Sequence, residues 1–114
     1  MSAREDWAAG EPRPVMFAVK FDDHAAAVAF HDEFGSIDVD ELTCDHCGEP
    51  LWRVFPMVET TRAHLHGAAD DMRAEASRAG GELSDSALVL FDEPDYKAVD
   101  LRRPRRRLWK GARR

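Results

Sequence analysis

"VMFAVKFDDHAAAVAFHDEFG", residues 15–35, decides how the chain folds. Its first seven residues put Val15, Phe17, Val19 and Phe21 on one side and Met16, Ala18 and Lys20 on the other. A period of two is that of a strand with one buried face. Asp22 and Asp23 then stand where side chains cap a helix through "HAAAVAFHDEF", in which Ala27, Phe30 and Phe34 share a face. Gly35 falls where a left-handed C-cap is wanted. The stretch therefore predicts a strand followed by a helix.

Working outward, "SIDVDELTC" alternates Ile37 and Val39 with acids, which suits an edge strand. After a turn, "PLWRVFPMVE" is a second apolar run, and the two predict a hairpin. Pro56 falls inside this third strand, where the lost ladder donor calls for a bulge or an altered strand order. Thr60 or Thr61 can cap a second helix, in which Leu65, Ala68 or Ala69, Met72 and Ala76 recur at helical spacing before Gly80 and Gly81 stop it. "SALVLFD" is the last strand. The order strand, helix, strand, strand, helix, strand predicts an α+β fold, the ferredoxin-like split β-α-β sandwich, with two helices on one face of a four-stranded antiparallel sheet. Residues 1–14, polar and ending in Pro12 and Pro14, read as a flexible leader with Trp7 its only sticky residue. Residues 15–92 make the domain and residues 93–114 an extended, arginine-rich tail.

A chain of 114 residues, 44% hydrophobic, supports one modest core. Its net charge of -6 hides an asymmetry. Residues 101–114 carry eight bases and no acid, which leaves eight bases against 22 acids, a net -14, on the first hundred residues. Two cysteines in a C-x-x-C cannot frame a secreted mini-protein, and no apolar stretch at the start suits a signal sequence, so the expected location is cytoplasmic. Nor does any segment approach the roughly 18 apolar residues that span a bilayer.

"CDHCG" is half a zinc knuckle: Cys44 and Cys47 supply thiolates and Gly48 a permissive backbone after the second. The predicted topology puts the hairpin tip at the same end of the sheet as the exit of the first strand, beside His24. Three readings fit. Zinc is held by Cys44, Cys47, His24 and either His46 or a carboxylate; two chains share a four-thiolate site as a homodimer; or the turn holds two reduced thiols and no metal. The inviting His64 and His66 lie beyond the third strand, about nine residues of roughly 3.3 Å each from the tip. Redox chemistry is disfavoured, because a strand rather than a helix follows the motif and Asp45 and Glu49 oppose a thiolate. His31, His64 and His66 read as solvated helix residues, and no catalytic triad, carboxylate pair or phosphate loop is present, so the chain is expected not to be an enzyme.

The tail, "LRRPRRRLWKGARR", is read as the nucleic-acid contact. Arg102, Arg103, Arg105, Arg106, Arg107, Lys110, Arg113 and Arg114 reach phosphates, and Trp109 stacks on an unpaired base. Such binding is sequence-tolerant and salt-dependent. The bland readings are a solubilising tail, or one that folds back on the acidic body or on a protein partner.

Trp52, Val54, Glu59 and Thr61 before the second helix, with Gly80 and Gly81 after it, resemble the ribonuclease E inhibitor B family, a likeness that runs from "FAVKF" to Ser86. Ser84, Asp85 and Ser86 stand where that family has D-G-W. The resemblance implies a ferredoxin-like domain that controls an RNA-processing machine by protein contact, without catalysis. Taken together, the expectation is a regulator or adaptor that docks on a ribonucleoprotein, its tail on RNA. The rival is a protein-only inhibitor or adaptor that uses the acidic body and basic tail on a protein partner.

Overall fold

The computed structural model describes residues 7–35, 39–43, 48–92 and 95–102. The opening strand comes in two pieces, β1 (Arg13–Met16) and β2 (Val19–Phe21). Val15, Phe17, Val19 and Phe21 are all buried, as the alternation requires. α1 (His24–Phe34) buries Ala27 and Phe30, and the Phe30 ring lies 5.3 Å from Phe21 and 4.7 Å from Phe34. Asp23 occupies the N-cap position without a side-chain bond; only its carbonyl takes part, accepting from the Ala27 N–H at 3.1 Å. Gly35 is not left-handed but extended, at φ -78° and ψ 145°. Space is what demands glycine there, since a Cβ would meet His31 Cδ2 at 2.7 Å and Val54 Cγ1 at 3.0 Å.

The chain continues as β3 (Asp40–Thr43), β4 (Pro50–Val54), β5 (Met57–Thr60), a 3-10 turn (Arg62–His64) and α2 (Leu65–Ala79), then β6 (Glu82–Leu83), β7 (Ser86–Asp92) and β8 (Asp95–Asp100). The Thr61 hydroxyl caps the 3-10 turn by accepting from the His64 N–H at 3.3 Å. Leu65, Ala69, Met72 and Ala76 form the buried stripe of α2. Gly80, at φ 88°, ends that helix, and Gly81 N–H donates to the Ala76 carbonyl at 2.7 Å.

This is an α+β fold with two helices and two antiparallel sheets, which differs from the single four-stranded sheet expected. One sheet runs β5-β1-β7-β8; the other runs β3-β4-β2 and is extended by the two-residue β6. Two of the expected strands break, each giving one piece to each sheet, at Phe17 and Ala18 and at Phe55 and Pro56; a further change of sheet, at Ser84 and Asp85, precedes the last expected strand, which is β7 whole, and separates it from β6. Pro56 accounts for one break. Its carbonyl accepts from the Phe17 N–H at 2.9 Å, but it has no N–H to return. The breaks stay knitted, since the Ser84 N–H donates to the Ala18 carbonyl at 2.9 Å.

The leader and the tail both give residues to the body. Trp7 is 1% exposed and belongs to the core cluster, so from residue 7 onward the expected leader is a packed strap. Its indole Nε1 donates to the Glu11 carbonyl at 2.6 Å, while its own carbonyl accepts from Arg62 Nε at 2.8 Å. The Ala63 N–H adds a bond to the Ala9 carbonyl at 3.1 Å, clamping the strap on the 3-10 turn. At the other end, residues 95–100 of the expected tail form β8, and Leu101 is 2% exposed. An edge strand burying only Val99 has little apolar pattern to announce it. Among the described residues no helix is long and apolar enough to cross a membrane.

Candidate functional site: the open face of the first sheet

Directly opposed residues of an antiparallel pair point to the same side of the sheet. Val15 faces the core with Val58 and Val89 as partners, so the next register position faces outward. There Met57, Met16, Leu88 and Ala98 form one unbroken row across β5, β1, β7 and β8. One turn of the pleat away, Leu90 pairs with Tyr96, and Pro14 on the same face pairs with Glu59. Leu88 is 37% exposed and Tyr96 40%, two of the three large hydrophobic residues most open to solvent among those described. A contiguous apolar sheet face of this kind marks a contact surface more often than does a scattered exposed leucine. Exposed acids border it: Glu59 on β5, Asp95 where β8 begins and Asp100 where it ends.

The second sheet differs on its outward face. Lys20 of β2 is flanked there by Arg53 of β4 and Glu82 of β6, a charged row where the first sheet is apolar. The guanidinium of Arg53 also lies over the Phe55 ring at 5.1 Å.

The root of the basic tail lies at the end of β8. Leu101 N–H donates to the Asp85 carbonyl at 2.7 Å, holding the chain as it leaves the sheet. Arg102 turns back on Asp100, its Nε and Nη2 donating at 3.0 and 2.9 Å. That carboxylate raises the guanidinium pKa above its ordinary value, chiefly by hydrogen bonding and then by its charge, with Asp85 adding to the field. The pair is exposed, so salt screens it. The other expected nucleic-acid contacts, Arg103, Arg105, Arg106, Arg107, Trp109, Lys110, Arg113 and Arg114, lie outside the described residues.

Of the four expected metal ligands only His24 is described; Cys44, His46 and Cys47 are not. His24 is exposed, its ring 5.2 Å from that of Trp52. β3 and β4 pair as far as Thr43 opposite Pro50, while Phe21 at the end of β2 faces Trp52. The Thr43–Pro50 end of the β3–β4 pair is therefore at the end of the sheet from which α1 departs. His64 and His66 follow β5, with β4 and β5 intervening, and His64 Nδ1 sits 2.9 Å from Thr61 Oγ1. Among the described residues no three His, Cys, Asp or Glu side chains gather as a metal group, and no polar or charged side chain is buried.

The apolar face is not among the sites expected from the sequence. Its signal was present in "SALVLFD", where Leu88 and Leu90 are as apolar as the inward Ala87 and Val89. A strand apolar on both sides needs a second cover or presents a binding surface. Compared with protein-family models, with curated proteins and with solved structures, the chain matches none.

Proposed function

We propose that this chain is a non-enzymatic regulator or adaptor that docks on a ribonucleoprotein or RNA-processing machine. The open face of the first sheet takes a protein component, and the arginine-rich tail contacts RNA. One observation carries the reading: the tail is rooted at Leu101 and Arg102, directly after β8, the strand that also supplies Tyr96 and Ala98 to the apolar face. The acidic body repels phosphate, so the eight bases from Arg102 onward have to supply the nucleic-acid affinity. We read the fold as a bent ferredoxin-like sandwich. In support, β5-β1-β7 and β4-β2-β6 repeat one strand order, with β3 added beside β4 and β8 beside β7. The resemblance to the ribonuclease E inhibitor B family points the same way.

Filter binding of RNA across a salt series tests the tail, comparing the full chain with one ending at Arg102. Truncation after Asp100 would instead remove Leu101 from the core. Loss of binding, with the slope of log K against log salt falling by about 0.7 per single-strand phosphate contact, is expected. Equal binding by both chains overturns the reading.

The net -14 on the first hundred residues favours a second reading, a protein-only inhibitor or adaptor. Capture from nuclease-treated lysate separates the two: partners held through RNA disappear, while direct ones remain. A zinc knuckle of Cys44, Cys47, His24 and His46 or a carboxylate, or one shared by two chains, would stiffen the hairpin tip under either reading.

A further inference from the structure

The far edge of the first sheet, away from the tail root, is β5. Because Phe17 N–H donates to the Pro56 carbonyl, the alternation of an antiparallel ladder makes Val15 with Val58 and Arg13 with Thr60 the bonded pairs. The peptide groups of Glu59 consequently point away from β1, and among the described residues β5 pairs with no other strand. The Gly35–Pro56 bridge borders the start of this edge, so its open part centres on Glu59.

A groove of about 400 Å³ runs along it. Its walls are Val58, Glu59 and Thr60 of β5, His64 of the 3-10 turn, and Gly67, Ala68 and Asp71 of α2. Gly67 has no reason in the described structure. Its φ is not positive, and a Cβ added there would meet nothing within 4 Å. Glycine is nonetheless among the least favourable helix residues, and a glycine with space above it lets another backbone approach closely.

We infer that this groove receives an extended, basic segment of a partner protein, added beside β5 as a fifth strand of the first sheet. The Glu59 N–H and carbonyl supply the backbone pairing. Exposed Glu59, on the outward face, supplies the charge that selects lysine or arginine, and exposed Asp71 on α2 adds to the negative field of the groove. Above Gly67 and Ala68 only small or β-branched side chains fit, so basic and apolar residues alternate along the segment. The chain's own basic tail leaves from β8, at the opposite edge, which favours a segment from another protein.

The test is an NMR titration of the isotope-labelled full chain with a synthetic octapeptide of alternating lysine and valine. Shifts confined to residues 57–60 and 64–71, with slowed exchange of the Glu59 amide, are expected. An octapeptide of alternating glutamate and valine should leave them unmoved. Glu59→Pro removes an outward N–H without removing a bond to β1, and should weaken the lysine peptide about tenfold while the melting temperature holds. Gly67→Leu fills the groove and should weaken it similarly without lowering thermal stability. Shifts elsewhere, or undiminished affinity in Gly67→Leu, overturn the inference. Full chain carrying Arg105→Gln, Arg106→Gln and Arg107→Gln decides the remaining occupant. If those changes alone move residues 57–71, or raise peptide affinity tenfold, the chain's own tail fills the groove and the partner segment is overturned; no change supports it.

Discussion

Trp7→Ala should be among the most damaging single substitutions in the protein, although it falls in a stretch whose sequence reads as a polar leader. Trp7 is 1% exposed. A tryptophan buries roughly 150–250 Å², worth about 4–6 kcal/mol at about 25 cal/mol per Å². That is an upper bound, because the unfolded chain already hides part of the area. Deletion of buried aromatics supports about 3–5 kcal/mol, which is the expected loss. Small domains have about 5–15 kcal/mol in all, so the variant should sit near the threshold of unfolding. Urea unfolding followed by circular dichroism measures it, with the midpoint falling and the slope unchanged. Trp7→Phe keeps most of the area but loses the indole bond to the Glu11 carbonyl, and should lose about 1–2 kcal/mol. A loss below about 1 kcal/mol in Trp7→Ala would refute the packed strap, because no well-filled aromatic site collapses that cheaply.

Gly81→Ala should destabilise by about 1–3 kcal/mol, since its Cβ would lie 2.6 and 2.7 Å from two Phe21 ring carbons and 3.0 Å from the Lys20 carbonyl; thermal melting checks this. Gly67→Ala should do the opposite and stabilise by about 0.5–1 kcal/mol, because the added methyl meets nothing and the helix gains a better former. Leu88→Asp, which places a charge in the middle of the outward apolar row, should abolish retention of a protein partner while leaving RNA binding by the tail intact in filter assays. Metal analysis with native mass addresses the knuckle: one zinc per chain that disappears in His24→Ala supports the single-chain site, half a zinc per chain in a dimer supports sharing, and no zinc removes the site.

The inward faces were legible because burial imposes a period. Val15, Phe17, Val19 and Phe21 are two apart and Leu65, Ala69, Met72 and Ala76 lie at helical spacing, and all eight are buried. Breaks in strands and changes of sheet leave a weaker mark. Pro56 announced its own, but Phe17 with Ala18 and Ser84 with Asp85 contain neither glycine nor proline. Trp7 lay among charged and small residues, where no period exists to betray a single anchoring side chain. At Gly35 the local pattern predicts a left-handed cap, whereas the need is for space beside Val54 and His31, a tertiary fact with no local signature. For the same reason the outward apolar row became apparent only once register aligned Met57, Met16, Leu88 and Ala98.

The burial of Leu101 has a consequence for how the protein would choose among assemblies. A tail hung on a long flexible linker samples a large volume, and the gain from a second contact is diluted accordingly. Here the tether between sheet face and first arginine has no slack, and the basic residues from Arg103 to Arg114 lie within about 40 Å of it. Two individually weak contacts within that radius would reinforce each other by about 10² to 10⁴. The same two contacts set farther apart would gain nothing. Selectivity would then reside in a distance, so that free RNA and a bare protein partner each bind weakly and only a particle presenting both within reach is held.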